Sequence, residues 1–214
     1  MSTPTGSPLE TLRRITAGRP QAAPGEKCEM CAEQIADEHQ HVVDLTSRTL
    51  MCTCRGCYLL FSDQHAQLRF RAVPDRYLSF PEFDFTDGDW DSLQIPVGLV
   101  FCFHHSDLDK MVSFYPGPAG ATESELPMTA WDDVLAKNAA LTDLLPDVEA
   151  LLIRRGPDDS FRAHLVPIDT CYELVGTMRL TWRGFDGGQE AQAALDAFFD
   201  RVEERSRPAT GPVR

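Results

Sequence analysis

Hydrophobic and polar positions alternate over VVDLTSRTLM, residues 42–51, which reads as a short strand, a polar turn and a second strand. IPVGLVFCFHHS has the length and apolar content of a buried strand, and KMVSFYP, beyond the turn at SDLD, that of its hairpin partner. VEALLIRR and FRAHLVPI, joined by GPDDS, repeat the pattern, and AQLRFRAVPDRYLSF predicts strands broken at Pro74. Helical spacing marks AWDDVLAKNAAL, with Trp131, Val134, Leu135 and Leu141 on one stripe and Thr129 as cap. CYELVGTMRL is read as helix from Tyr172, Val175 and Met178, with Leu174 and Leu180 alongside and Asp169 as a candidate cap. A last helix carries Ala191, Ala194, Leu195, Phe198, Phe199 and Val202 on a broad apolar face, capped by Asp186 of the GFDGG turn. EFDFTDGDWDSL is expected to be a solvated acidic turn and PGPAGATESELP a loop. Near the start, Ser7, Pro8 and Glu10 suit the opening of a short helix.

These elements give an α+β fold: a small treble-clef or zinc-ribbon-like metal lobe, then a mixed or antiparallel sheet with packed helices. The expected divisions are a mobile N-terminal tail with a short helix over 1–27, a cysteine-rich metal-binding lobe over 28–65, an α+β domain over 66–205 and a disordered tail over 206–214.

The lobe is set apart by its cysteines, five of the chain's seven. Cys28 and Cys31 form one C-x-x-C, Cys54 and Cys57 a second, and Cys52 stands two residues ahead of the latter. A C-x-x-C lets two thiolates from one turn reach the same ion, and two such turns supply the four ligands of a tetrahedral site. YLLFSDQ after Cys57 reads as the first turns of a helix, so that knuckle, hairpin and helix-opening knuckle follow in order. Cys52 and Cys54 share a strand face, so either could be the third ligand; the glycine of C-R-G-C favours Cys54, leaving Cys52 as a neighbouring or spare thiol. His39 and His41 lie between the pairs as possible replacements, but four cysteines suffice and both are expected on the hairpin surface. Zinc is the expected ion; iron, in a rubredoxin-like centre or a cluster, is the alternative on the same thiolates.

A net charge of -13 opposes nucleic acid and anionic lipid, which removes the DNA-binding reading that cysteine knuckles invite. No apolar run is long enough to insert in a membrane, and the first residues lack the apolar core of a signal peptide. A cytoplasmic protein is expected, in which clustered cysteines are metal ligands rather than a disulfide framework.

Elsewhere the chemistry is sparse. Cys102, His104 and His105 fall on one strand, where satisfied histidines at a strand end are expected, and Cys171 reads as a buried, inert thiol. A pocket uniting either histidine with Cys102 or Cys171 would instead suit a hydrolase. Arg179, Trp182 and Arg183 either line a site or pack a helix junction. No nucleophile elbow, H-E-x-x-H, G-x-G-x-x-G or P-loop is present, and no active site is legible.

KCEMC, HQHVVDL, CTCRGCYLLF, FYPGPAGATES, PDVEALLIRR, VPIDTCYELVG and WRGFDGGQE, in that order, resemble an uncharacterised family numbered 5947 among the domains of unknown function. Its members are encoded in NiFe-hydrogenase gene clusters, and the family carries no established activity. The resemblance implies a hydrogenase-associated accessory protein, with a hydrogenase subunit or maturation factor as partner, and brings all of C-T-C-R-G-C, Cys52 included, into the motif. Two readings follow: a non-enzymatic binding module with a structural zinc lobe, marked by an exposed apolar patch beside the lobe or the FYPGPAGATES loop, and an iron-binding electron-transfer protein.

Overall fold

A computed structural model describes residues 26–63, 68–95, 97–117, 120–124, 127–156, 158–184 and 187–209. The expected first helix and the Asp186 cap lie outside them. β1 (Gln40–Asp44) and β2 (Thr49–Thr53) form the expected hairpin, and β3 (Phe70–Ala72) joins the other edge of β1 to give a sheet ordered β2-β1-β3. Asp44 fixes the turn: its side chain accepts the Thr46 N–H at 3.0 Å and the Arg69 Nε–H at 3.0 Å. The Arg69 guanidinium holds this carboxyl well below the usual carboxylate range. Helix α1 (Arg55–Leu59) follows β2 directly.

The second sheet runs through β4 (Leu78–Ser79), β5 (Leu99–His105), β6 (Lys110–Gly117), β7 (Gly120–Ser124), β8 (Glu149–Arg155), β9 (Phe161–Pro167) and β10 (Arg207–Pro208). Its order is β10-β4-β9-β8-β5-β6-β7, antiparallel except where β10 runs parallel to β4. Central strand β8 is apolar on both faces, as a strand covered on both sides must be. Leu151 and Ile153 enter one core with Trp90, Trp131 and Val134. Ala150 and Leu152 enter the other with Leu174, Met178, Phe198 and Val202. Helices α2 (Asp87–Ser92) and α3 (Met128–Lys137) cover the first face; α4 (Ile168–Thr181) and α5 (Gly188–Arg205) cover the second. Val43 of the lobe, with Val73 just after β3, joins that second core, so lobe and body share buried surface. No helix among the described residues is long and apolar enough to cross a membrane.

Several local expectations are corrected. The acidic turn holds helix α2, because Thr86 and Asp89 close a capping box that outweighs the charge of the run, and Lys137 pairs with Asp89 at 2.6 Å. Trp90 of that helix is buried against Phe85 and Phe161. Gly120–Ser124, expected in a loop, extends the sheet as β7; Gly120 has φ 111°, and a Cβ there would collide with Arg179 Nε. Thr129 lies inside α3, whose N-cap position is Pro127. The buried stripe of α4 is Ile168, Cys171, Leu174 and Met178, whereas Tyr172 and Leu180 are exposed. Trp182 packs the α4–α5 junction, its indole N–H donating to the Gly184 carbonyl at 3.0 Å. Arg207–Pro208, placed in the tail by sequence, pairs with β4.

Two buried ionisable groups tie the layers together. Glu149 is fully buried and receives the Arg76 Nε–H and Nη2–H at 2.7 and 2.6 Å, plus the Leu145 N–H at 2.9 Å. Such a carboxylate is tolerated in a core only with partners of this geometry. His164 of β9 is buried and bonds Glu203 of α5 through Nε2 at 2.7 Å. Burial lowers its pKa, an effect that the neighbouring Glu203 only partly opposes. The unfolded imidazole takes up its proton near about pH 6.5, the folded one at lower pH. Between those values the unfolded state binds more protons, so stability present above that window declines as pH falls through it. Urea unfolding at about pH 7.5 and about pH 5.5 is expected to show a steeper loss in the wild type than in His164→Asn. Equal losses in both would show that His164 carries no such linkage.

Candidate metal centre

The first knuckle is a reversal in which Cys28 N–H donates to the Glu33 carbonyl and Ala32 N–H to the Cys28 carbonyl, both at 2.8 Å. Ala32 takes the left-handed conformation, φ 63°, that glycine usually supplies, at a cost of about 1–2 kcal/mol. An antiparallel bridge between Lys27 and Gln34 closes the reversal, and the Glu29 N–H reaches the Cys52 carbonyl at 2.9 Å, docking the knuckle on β2. The second knuckle is the start of α1. Cys54 is its N-cap, and its Sγ accepts the Cys57 N–H at 3.5 Å. Gly56 lies within this helix, where a Cβ would meet only Cys54 Sγ, at an ordinary 3.9 Å. What sets the second knuckle is therefore the helix cap, not a glycine turn.

These two turns bring the Sγ atoms of Cys28, Cys31, Cys54 and Cys57 within 4.8 Å of one another. Every one of them is a free cysteine, and the Cys31 and Cys54 sulfurs are 3.6 Å apart. Four thiolates at about 2.3 Å from one tetrahedral ion would stand about 3.8 Å apart, so the donor set fits a single metal ion. The local fields agree with a shared cation. Burial works against ionising Cys28, but the N–H groups of Cys54, Cys31 and Met30, with the Cys31 thiol, bring it down to about 6. Burial, then the thiols of Cys31, Cys28 and Cys54, push Cys57 up to about 12. One thiolate forms readily; bringing all four into that state needs positive charge among them.

Cys52 is outside this cluster. It sits on β2 opposite His41, and its Sγ groups with ring nitrogens of His39 and His41, likewise within 4.8 Å of one another. His39 is no surface residue, since its side chain is only 10% exposed. Asp169 does not cap α4; its Oδ2 accepts from His41 Nδ1 at 2.8 Å, joining lobe to body.

The remaining candidates divide. His105 and Cys171 both line an apolar groove, but among the described residues no hydrogen bond joins them. Burial drives the Cys171 thiol well above its ordinary range, opposite to what a nucleophile needs, and raises Cys102 to about 12. The Nδ1 atoms of His104 and His105 are buried without hydrogen-bond partners among the described residues, although His104 Nε2 lies 3.3 Å from Asp109 Oδ1, so these histidines are satisfied only in part. The groove is an apolar surface beside the lobe and the FYPGPAGATES segment, where the binding-module reading expected one, but its particular walls were not legible, because they are drawn from segments spread over more than a hundred residues: Val43 and Leu45 from the lobe, Phe103, Phe114 and Ala121 from the sheet, Val175 from α4.

Fold and site together define an α+β protein whose cysteine-rich lobe is competent to hold a metal ion. The chain belongs to the family of unknown function DUF5947, whose model matches residues 27–206, from the first knuckle to the C-cap of α5. Neither the curated proteins nor the solved structures contain a match to it.

Because binding energy at such a site is folding energy, Cys28→Ser or Cys57→Ser is expected to give insoluble protein, or protein whose lobe is unfolded while the body persists. Hydrogen exchange at β1 and β2 amides reads this directly. Cys52→Ser is expected to keep the metal of the four-thiol centre with a milder loss of stability. Full metal loss in Cys52→Ser, or a Cys28→Ser protein as stable as the parent with metal absent from both, would contradict the assignment.

Proposed function

We propose that this protein is a non-enzymatic accessory factor whose lobe is stapled by structural zinc and whose body docks a protein partner, a NiFe-hydrogenase subunit or maturation factor. The zinc assignment follows from a closed set of four cysteines in two knuckles, the usual chemistry of structural zinc. The hydrogenase setting follows from the family resemblance of the motifs.

The observation that carries the binding role is the apolar groove between lobe and body, a cavity of about 220 Å³. That volume is below the roughly 300–1,000 Å³ of small-molecule sites and suits one or two inserted apolar side chains. Phe114 stacks on Phe101 and Phe103 at 5.5 and 5.8 Å, which makes the floor rigid and pre-formed. Nearby in sequence, the end of α1 presents Leu59 and Leu60, 51% and 69% exposed. Unpartnered apolar positions on a small lobe are characteristic of interaction surfaces. The groove depends on the metal, because Val43 and Leu45 hold their places through the β1–β2 hairpin that the knuckles support.

The test is co-purification of tagged protein from cells making a NiFe hydrogenase, against Val175→Asp, which charges the groove from a half-buried helix position. Hydrogenase polypeptides are expected with the wild type and at least about tenfold depleted with the variant, a change of about 1.4 kcal/mol, while metal content and melting stay the same. Equal recovery with an unrelated tagged control would overturn the docking role.

A further inference from the structure

We propose that His39, His41 and Cys52 form a second, separate metal site, one that takes a borderline divalent transition ion such as zinc or cobalt and leaves a coordination position open. It holds whichever ion occupies the four-thiol centre. One donor atom from each residue lies within 4.8 Å of the others. An ion with nitrogen at about 2.0–2.1 Å and sulfur at about 2.3 Å needs donors about 3.3–3.6 Å apart, a contraction of at most about 1.5 Å that side-chain rotation supplies.

Both imidazoles are prepared for a metal. His39 Nδ1 lies 2.9 Å from the Ala36 carbonyl and 3.1 Å from that of Asp37. Carbonyls only accept, so Nδ1 carries the proton and Nε2 keeps its lone pair. That Nε2 is buried without a hydrogen-bond partner among the described residues, on a side chain 10% exposed. A buried, unmatched acceptor is costly, and a cation removes the penalty. His41 Nδ1 is held by Asp169 Oδ2 at 2.8 Å, the carboxylate–histidine arrangement that fixes ring orientation and raises the basicity of a metal-binding imidazole. The rings stand 4.8 Å apart, tilted by 57°.

Cys52 completes the set by register, since it faces His41 across the β1–β2 ladder. Its backbone is fixed on both sides: the Cys52 N–H donates to Glu29 Oε2 at 2.6 Å, and its carbonyl accepts from the Glu29 N–H. The Glu26 and Glu29 carboxylates lie near enough to act on its thiol. The same carboxylates favour a cation, whose binding displaces the thiol proton to solvent. Three donors, two nitrogens and one sulfur, suit borderline ions rather than magnesium or calcium. His39 and His41 also line a polar cavity of about 840 Å³ whose wall includes Arg55 and Arg205. The open position is thus available to a small anionic or neutral ligand, unlike the closed four-thiol centre.

The test adds cobalt(II) to the purified full chain carrying its resident metal. One further equivalent is expected, with a sulfur-to-cobalt charge-transfer band, which adventitious binding to surface carboxylates does not give. His39→Ala and Cys52→Ser are expected to lose the band with resident metal unchanged. Asp169→Asn, which keeps all three donors, is expected to weaken binding roughly 10–100-fold. Absence of the band in the wild type, or its persistence in both donor variants, overturns the site. Failure of the four-thiol centre is distinguishable, because it would show as missing resident metal before cobalt is added.

Discussion

Four cysteine sulfurs held within 4.8 Å of one another are the constraint on which the lobe depends. As neutral thiols they make only weak contacts; as thiolates they repel; around one cation they become the strongest interaction in the lobe. The surrounding structure is too slight to replace it. Its sheet has strands of five, five and three residues, and its helix α1 has five residues with none buried. Domains of this size need a staple, and the knuckles supply the place for one.

The lobe in turn is a working part of the body. Val43 and Val73 sit in the core beneath α4 and α5, His41 meets Asp169 at the first turn of α4, and Arg71 donates to the Pro146 carbonyl at 2.9 Å. Arg76, just past the lobe, neutralises the buried Glu149 at the start of the central strand β8. Release of the metal would therefore be felt at the apolar groove, one wall of which is Val43 and Leu45. The link from the four-thiol centre to the groove is mechanical.

Much of this was legible in the chain because local patterns carry it. Two C-x-x-C spacings, an alternating hairpin and four long apolar strands are short-range signals. What was missed is long-range or small. The charge density of EFDFTDGDWDSL masked a capping box, and only the three-dimensional structure shows Trp90 packed on Phe161. Asp169 had the right place for a helix cap, yet its partner is a histidine 128 residues away. The choice between Cys52 and Cys54 turned on a glycine that the knuckle does not need; the helix cap at Cys54 decides which sulfur joins the other three. His39 and His41 looked superfluous beside four cysteines, because spacing cannot tell which side chains the fold gathers with Cys52.

The most direct measurement is metal content with a visible spectrum, on protein purified without added metal, under low oxygen and after brief exposure to a mild chelator. One tightly held zinc per chain and no colour is the expected result. Iron with charge-transfer bands would replace structural zinc with an electron-transfer centre. A folded, metal-free chain would contradict the metal centre itself.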